Sequence, residues 1–245
     1  MPNLLLGVNI DHIATLRNTR NTMYPDPIYA AFVAEQSGTD SITVHLREDR
    51  RHIKDQDVEM LRKTIQTSMN LEIAATDEMI NIACTLKPDY CCLVPERRQE
   101  LTTEGDLDII NNANKLKNMI FKLTDSGIRV SLFIDPNEQQ IDVAYNIGAP
   151  YIELHTGMYS HAIDATTQNL EYKLIKKSMQ YAIDNGLKVN AGHGLNYYNV
   201  QPIAMLSGIQ ELNIGHAIIS RSIFCGLPKA IQDMKKLIQD SRRGE

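Results

Sequence analysis

The chain has 245 residues, of which 43% are hydrophobic, and its 25 basic and 30 acidic side chains give a net charge of −5. A disordered chain is less apolar than this, and no part of the sequence approaches the run of roughly 20 apolar residues that a membrane helix needs. The negative charge argues against nucleic acid as the main partner, because clustered basic side chains bind a phosphate backbone. We therefore expect a globular protein that binds neither membrane nor nucleic acid.

The cysteines and the first residues give an expectation about location. The four cysteines lack the paired spacing of a disulfide framework or a metal site, which predicts reduced thiols in a cytoplasmic protein. The apolar segment 1–8 is short and has no basic residues ahead of it, so it does not resemble a signal peptide.

Short β-type runs alternate with helical patterns along the chain. Eight runs have the composition of strands, at 4–11, 41–46, 69–74, 90–95, 129–135, 151–157, 188–192 and 211–216. Apolar residues spaced three and four apart predict helices at 26–37, 55–66, 76–86, 107–123, 138–147, 168–185, 200–206 and 227–240. Asp26 before Pro27 is typical of a helix start, and Gly38 and Gly127 are typical of residues that follow a helix.

Eight strand–helix units in a chain of this length predict a (β/α)8 barrel, as a single domain over 1–245. A short extra helix is predicted at 217–224, after the eighth strand. An open doubly wound sheet is the alternative fold. That fold usually carries a glycine-rich dinucleotide turn after its first strand, and the sequence GVNID at 7–11 does not match such a turn.

The predicted strands carry polar residues on one face, because residues two apart in a strand share a face. These residues are Gly7, Asn9 and Asp11 in the first strand, Thr43, His45 and Arg47 in the second, Asn70 and Glu72 in the third, and Glu153 and His155 in the sixth. Barrel interiors normally hold branched apolar side chains, and barrel enzymes keep their chemistry at the carboxyl ends of the strands. We interpret the polar face as a catalytic mouth, and a hydrogen-bonded polar core is the alternative.

Glycines flank two histidines at the ends of the last two strands. Gly192 and Gly194 surround His193, and Gly215 precedes His216 at the start of the predicted extra helix. Glycine lets the backbone approach an anion, and a helix N-terminus supplies unpaired N–H groups, so this arrangement predicts a phosphate site. Two ordinary turns are the alternative.

Two charged segments have less specific interpretations. Residues 96–104 follow the fourth strand and either fold over a ligand or form a solvated loop. Basic residues after the first two strands either hold a second anion or are ordinary surface residues, namely Arg17, Arg20, Arg47, Arg50, Arg51 and His52.

Missing motifs narrow the chemistry. No lysine lies at the carboxyl end of a predicted strand, which argues against a lysine Schiff base. The sequence has no His-x-His or His-x-x-x-His pair and no P-loop, so we predict neither a metal nor a cofactor. Acid–base chemistry by histidine and glutamate on a phosphorylated small molecule remains.

The motifs at these positions resemble one family over nearly the whole chain. They are LGVNIDHIATLR at 6–17, ITVHLREDRRHI at 42–53, MNLE at 69–72, CCLVPE at 91–96, VNAGHGL at 189–195 and LNIGHA at 212–217. They resemble the pyridoxine 5′-phosphate synthase family of bacterial vitamin B6 synthesis. The resemblance implies a cytosolic (β/α)8 barrel that assembles as a homo-octamer. It also implies a reaction that condenses 1-deoxy-D-xylulose 5-phosphate with 3-amino-2-oxopropyl phosphate to pyridoxine 5′-phosphate, phosphate and water.

The resemblance also implies roles for individual residues. His45 and Glu72 would be general bases, His193 a proton donor and Glu153 a stabiliser of the transition state. The aminoketone phosphate would be bound by Asn9, Arg20, Gly194, Gly215 and His216. The deoxyxylulose phosphate would be bound by Asp11, His12, Arg47, His52 and Thr102. Burial at a barrel-facing position should raise the pKa of Glu72.

Two other functions remain open from the sequence. One is a sugar-phosphate isomerase that uses the same groups on a single substrate. The other is a catalytically silent barrel that binds phosphorylated metabolites as a sensor.

Overall fold

A computed structural model of the chain describes residues 3–96 and 107–244. Its strands are all parallel and close into a barrel in chain order. They are β1 Leu5–Asn9, β2 Ser41–His45, β3 Ser68–Ala74, β4 Tyr90–Val94, β5 Arg129–Ile134, β6 Tyr151–His155, β7 Lys188–Gly192 and β8 Ile209–Ile214. The predicted (β/α)8 barrel is confirmed, and each predicted strand is present.

The helices lie outside the barrel wall and follow the strands. They are α1 Asp11–Thr19, α2 Pro27–Gln36, α3 Asp55–Thr64, α4 Asp77–Leu86, α5 Ala113–Asp125, α6 Glu138–Asn146, α7 Gly157–Ser160, α8 Ala165–Asp184, α9 Val200–Ala204, α10 His216–Cys225 and α11 Leu227–Arg243. The extra helix predicted after the eighth strand is α10. None of the helices in the described ranges is long and apolar enough to cross a bilayer.

The outward faces of the strands form the main core together with the inner faces of the helices. Ile42 and Val44 of β2 and Leu71 of β3 are fully buried in this layer, as are Leu61 of α3 and Ile80 of α4. The predicted apolar face of each strand is therefore the one that packs beneath the helices. The polar face points into the barrel, where Asn213 of β8 accepts a hydrogen bond from Thr43 of β2.

Local signals fixed several helix ends as expected. The Asp26 side chain accepts a hydrogen bond from the Ile28 N–H at 2.9 Å, and Pro27 is the first residue of α2. Gly38 and Gly127 follow α2 and α5 with φ of 96° and 85°, a backbone conformation that glycine adopts without strain.

Several predicted boundaries differ from the structure by two or more residues, and three of them have identifiable reasons. The first strand ends at Asn9 instead of Asp11, because α1, which we did not predict, begins at Asp11. The fifth helix begins at Ala113, six residues after the predicted start at Leu107. Leu107 is buried outside the helix, where its N–H bonds to the Phe133 carbonyl, while Ile110 is 48% exposed. The eighth helix begins at Ala165, because Asp164 caps it.

Candidate active site

The four predicted catalytic side chains lie near the carboxyl ends of their strands, inside one mouth. His45 and Glu72 are register partners in the pairing of β2 with β3. Glu153 in β6 packs against β7, since a Cβ atom on Gly192 would lie 2.2 Å from Glu153 Oε1. His193 follows Gly192 directly.

Glu153 is held inside the barrel by a hydrogen-bonded chain that crosses three strands. The Asn213 amide donates to Glu153 Oε2 at 2.7 Å, and Asn213 Oδ1 accepts from the Thr43 hydroxyl at 2.9 Å. Burial raises the pKa of Glu153 to about 8, and the Glu211 carboxylate adds to the rise against the opposing bond from Asn213. The polar core considered as an alternative is therefore present, and it supports Glu153.

The pKa of Glu72 is shifted in the same direction as that of Glu153. Burial raises its pKa well above the ordinary value, and the nearby carboxylates of Glu153 and Asp11 raise it further. The predicted direction of this pKa shift is confirmed. The mouth thus holds two buried glutamates that each have a raised pKa.

His45 is fixed from three directions. Its backbone N–H donates to Asp11 Oδ1 at 2.8 Å, its Nε2 lies 2.8 Å from Glu96 Oε1, and its Nδ1 lies 3.9 Å from Glu72 Oε2. From the sequence, Glu96 is only the first residue of the charged segment 96–104. Its position directly after the Val94-Pro95 end of β4, at the same edge as the other polar residues, was the available signal.

His193 has different surroundings from His45. Its ring lies 5.1 Å from the His155 ring and 6.2 Å from the His161 ring, measured between centroids. Burial lowers the pKa of His193 to about 4, and His155 and His161 lower it further. Its φ of 80° is unusual for a residue with a side chain, and strain of this kind is often kept at functional sites.

Neighbours missed by sequence reasoning hold His193 in this conformation. The Thr156 hydroxyl donates to the His193 carbonyl at 2.6 Å. Asp135, just after β5, pairs with His155 Nδ1 at 2.8 Å, and His155 Nε2 is buried without a hydrogen-bond partner among the described residues. His155 had been placed on the inner face of its strand but given no role.

The predicted phosphate site is built from close backbone approaches. Gly215 caps α10, and a Cβ atom there would lie 2.9 Å from the Cβ of Asn9. Gly194 has φ of 74°, and a Cβ atom there would lie 2.6 Å from the Cβ of Ser160. His216 opens α10 and its ring lies 5.1 Å from that of His12. Glycine is therefore required at both positions, as the prediction needs.

The residues predicted to bind the second substrate adjoin both the predicted phosphate site and His45. The backbone N–H of Asp11 donates to Asn9 Oδ1 at 2.9 Å, so residues 9 to 11 form a compact turn. The His52 ring lies 5.9 Å from that of His45, and Arg47 is 2% exposed. Burial lowers the pKa of both His12 and His52, so these rings are neutral at pH 7.

Two of the residues predicted to bind substrate, Arg20 and Thr102, are not among the residues that the structure brings together at the mouth. Arg20 is exposed at the end of α1, and Thr102 lies outside the described residues, as does most of the loop 96–104.

Most of the remaining arginines of the basic cluster form structural ion pairs. Arg17 makes a two-pronged pair with Asp57, with both distances 2.7 Å, and also donates to the His52 carbonyl. Arg50 pairs with Asp55 and Glu78. Of the two interpretations left open for this cluster, the structure favours surface and structural pairing for Arg17 and Arg50.

One group of side chains has the composition of a metal site. Ligand atoms of Asp11, His45 and His52 lie within 4.8 Å of one another. Both Asp11 oxygens already accept hydrogen bonds, from His45 N and Asn9 Nδ2, and His45 Nε2 is bound to Glu96. These contacts fit a preformed pocket for a polar substrate, and the absence of a metal stays a prediction.

The fold and the mouth define a barrel enzyme with ionisable groups at the carboxyl ends of its strands. The family model described as "Pyridoxal phosphate biosynthesis protein PdxJ" matches residues 6–240, and the chain belongs to this family. The resemblance inferred from the motifs is thus confirmed.

Individual proteins agree with this assignment. The chain is 89% identical over 244 residues to the pyridoxine 5′-phosphate synthase of Blochmanniella pennsylvanica, covering 100% of both chains. It is 65% identical to the enzyme of the same name from Blochmanniella floridana, covering 99% of this chain and 98% of that one. A solved phosphoribosylanthranilate isomerase from Thermotoga maritima matches with a TM-score of 0.62 and 13% identity, covering 99% of this chain and 100% of that one. This last likeness shows the barrel fold alone.

Proposed function

We propose that this enzyme condenses 1-deoxy-D-xylulose 5-phosphate with 3-amino-2-oxopropyl phosphate, giving pyridoxine 5′-phosphate, inorganic phosphate and water. The observation that carries the proposal is the set of four ionisable groups in one mouth, His45, Glu72, Glu153 and His193. A ring closure with two carbonyl substrates needs repeated proton transfers, and such groups supply them. The amine belongs to a substrate, so no enzyme lysine is needed.

The charges of the substrates would shift Glu72 and His193 to the protonation states that the reaction needs. The ammonium group of the aminoketone, placed near Glu72, favours the carboxylate and so lowers the raised pKa of this proposed base. A phosphate dianion held by Gly194, Gly215 and His216 favours the protonated form of His193 and so turns it into a donor. Both changes oppose the pKa shifts that burial causes, a rise for Glu72 and a fall for His193. The proton transfers would therefore depend on bound substrate.

The remaining roles follow the family assignment. His45 acts as a second base, and Glu153, kept protonated by its surroundings, stabilises the transition state by donating a hydrogen bond. Asn9 and Arg20 complete the aminoketone phosphate site, while Asp11, His12, Arg47, His52 and Thr102 bind the deoxyxylulose phosphate. One barrel domain over 1–245, a cytosolic location and a homo-octamer belong to the same proposal.

A turnover assay with each substrate alone and with both together tests the reaction. Pyridoxine 5′-phosphate should form only when both are present. Conversion of one substrate by itself would indicate an isomerase instead, and binding of both without product would indicate a sensor.

The variant Glu72→Gln tests the base assignment. Because glutamine cannot accept a proton, kcat should fall by about 10²- to 10⁴-fold. Glu59→Gln, on the exposed side of α3, is the matched control and should keep wild-type turnover. Near-normal product formation by Glu72→Gln would show that another group is the base.

A further inference from the structure

Glu96 makes the shortest side-chain contact to His45 in the described part of the mouth. Its Oε1 lies 2.8 Å from His45 Nε2, and its Oε2 accepts the backbone N–H of Glu48 at 3.0 Å. Its side chain is only 6% exposed. Both oxygens are therefore used, and the carboxyl group has one orientation.

These contacts determine where the imidazole proton lies. Burial alone would raise the pKa of Glu96, but the hydrogen bond and charge of His45, with the Glu48 N–H and Arg47, keep it below its ordinary value. An ionised carboxylate only accepts hydrogen bonds, so His45 Nε2 must carry the hydrogen. Whenever the ring is neutral, its free lone pair is then on Nδ1, which faces Glu72 Oε2 at 3.9 Å.

We propose that Glu96 is a positioning residue that holds His45 in the Nε2–H form and so makes Nδ1 the basic nitrogen of the reaction. The proposal rests on the proposed role of His45 as a base. An acidic residue that orients a histidine by accepting its other N–H is a general device for fixing the tautomer of a catalytic base. Nothing in the sequence pattern assigned such a role to Glu96.

Other charged groups around His45 do not duplicate this contact. Asp11 from α1 binds the backbone N–H of His45, and Glu72 from β3, whose pKa is raised by burial, lies on the Nδ1 side. His52, from the segment after β2, touches the ring by an edge contact, and Arg47 from that segment lies near Glu96. Only Glu96 among these offers an ionised oxygen to the ring nitrogen Nε2.

Glu96→Gln is the informative substitution because it preserves size and removes the charge. One half of the glutamine amide accepts a hydrogen bond and the other half donates one, so it cannot accept from both Glu48 N–H and His45 Nε2–H. We expect kcat to fall by about 10- to 100-fold with KM within about threefold of wild type. The acidic limb of the pH–rate profile should move to lower pH, because a neutral amide no longer stabilises a protonated His45.

Nitrogen-15 NMR of histidine-labelled protein reads the tautomer directly, with the His45 signal assigned by its loss in His45→Asn. Wild type should show the Nε2–H form, and Glu96→Gln should show a mixture or the Nδ1–H form. The variant Glu96→Asp retains the charge and should recover part of the lost kcat and of the Nε2–H signal. Glu59→Gln is again the control.

A double-mutant cycle separates positioning from a contribution to folding. If Glu96 acts through His45, adding Glu96→Gln to His45→Asn should cost no further activity. A wild-type kcat in Glu96→Gln, an equal loss in both backgrounds, or an Nδ1–H signal in the wild type would overturn the proposal. Normal turnover by His45→Asn would instead remove His45 from the proposed mechanism, while the NMR result would still decide the tautomer.

Discussion

The mouth of the barrel has two halves, and each half surrounds a histidine with groups of opposite character. In the half formed by β2, β3 and β4, His45 lies between the carboxyl groups of Glu96 and Glu72. In the half formed by β5, β6 and β7, His193 lies against the rings of His155 and His161, and the pKa of His193 falls to about 4. The same residue type is thus placed beside an anion in one half and beside potential cations in the other.

The difference separates the two functions that a histidine can perform. A ring beside an ionised carboxylate is stabilised when it takes up a proton, which suits a base. A buried ring beside other histidines resists protonation until an anion arrives, so its ability to donate depends on bound phosphate. Glu153 of β6, with a pKa of about 8, is bound by Asn213 of β8 and is mostly protonated at neutral pH.

The largest effect should come from the His193 half. Replacing His193 by Gln removes the proposed proton donor, so kcat at saturating substrates should fall by about 10²- to 10⁴-fold. His161→Gln is a control of the same type, because His161 is exposed and only touches the His193 ring, and it should change kcat by less than about threefold. Equal effects of the two substitutions would show that the buried histidine has no special role.

A second prediction concerns Glu153 and the stability of the fold. The pKa of Glu153 rises from 4.5 to about 8 on folding, so between these values the folded chain keeps a proton that the unfolded chain has released. The folded state binds more protons, and stability therefore falls as pH rises through this window, by at most about 1.4 kcal/mol for each pH unit.

Glu153→Gln mimics the protonated acid and removes this titration. Urea unfolding of both proteins between about pH 5 and about pH 8 should show a steeper loss of stability in the wild type than in the variant. Glu171→Gln on α8 is a control for general effects of charge. Parallel pH curves for wild type and Glu153→Gln would mean that Glu153 is ionised in the folded protein.

The smallest effect should come from the partner of His155. Asp135 is 42% exposed in its pair with His155, and it acts on His193 only through that ring. Exposed pairs contribute little, so Asp135→Asn should lower kcat by no more than about fivefold. This is well below the loss expected for Glu96→Gln, whose carboxylate is buried against His45 itself. A loss as large as that of Glu96→Gln would mean that both halves use a carboxylate in the same way. Asp142→Asn on α6 is the matched control.

The sequence by itself determined the barrel and most of the residues that face its mouth. Alternation with a period of two is a local property, so it separated Asn9, His45, Glu72 and Glu153 from the apolar residues beneath the helices. The glycines around His193 and before His216 indicated the proposed phosphate site for the same local reason. The periodic pattern did not predict two boundaries. One is at Asp11, where the unpredicted helix α1 begins, and the other is at Leu107, which lies in a loop before α5.

Only the tertiary structure decided which side chains meet across strands. The approach of Glu96 to His45 joins residues 51 positions apart, and that of Asp135 to His155 joins residues 20 apart. Such contacts depend on strand register and barrel closure, which no local pattern contains. The pKa shifts of Glu153 and His193 follow from burial and from these contacts, and the left-handed backbone of His193 depends on support from Thr156 in a neighbouring part of the chain.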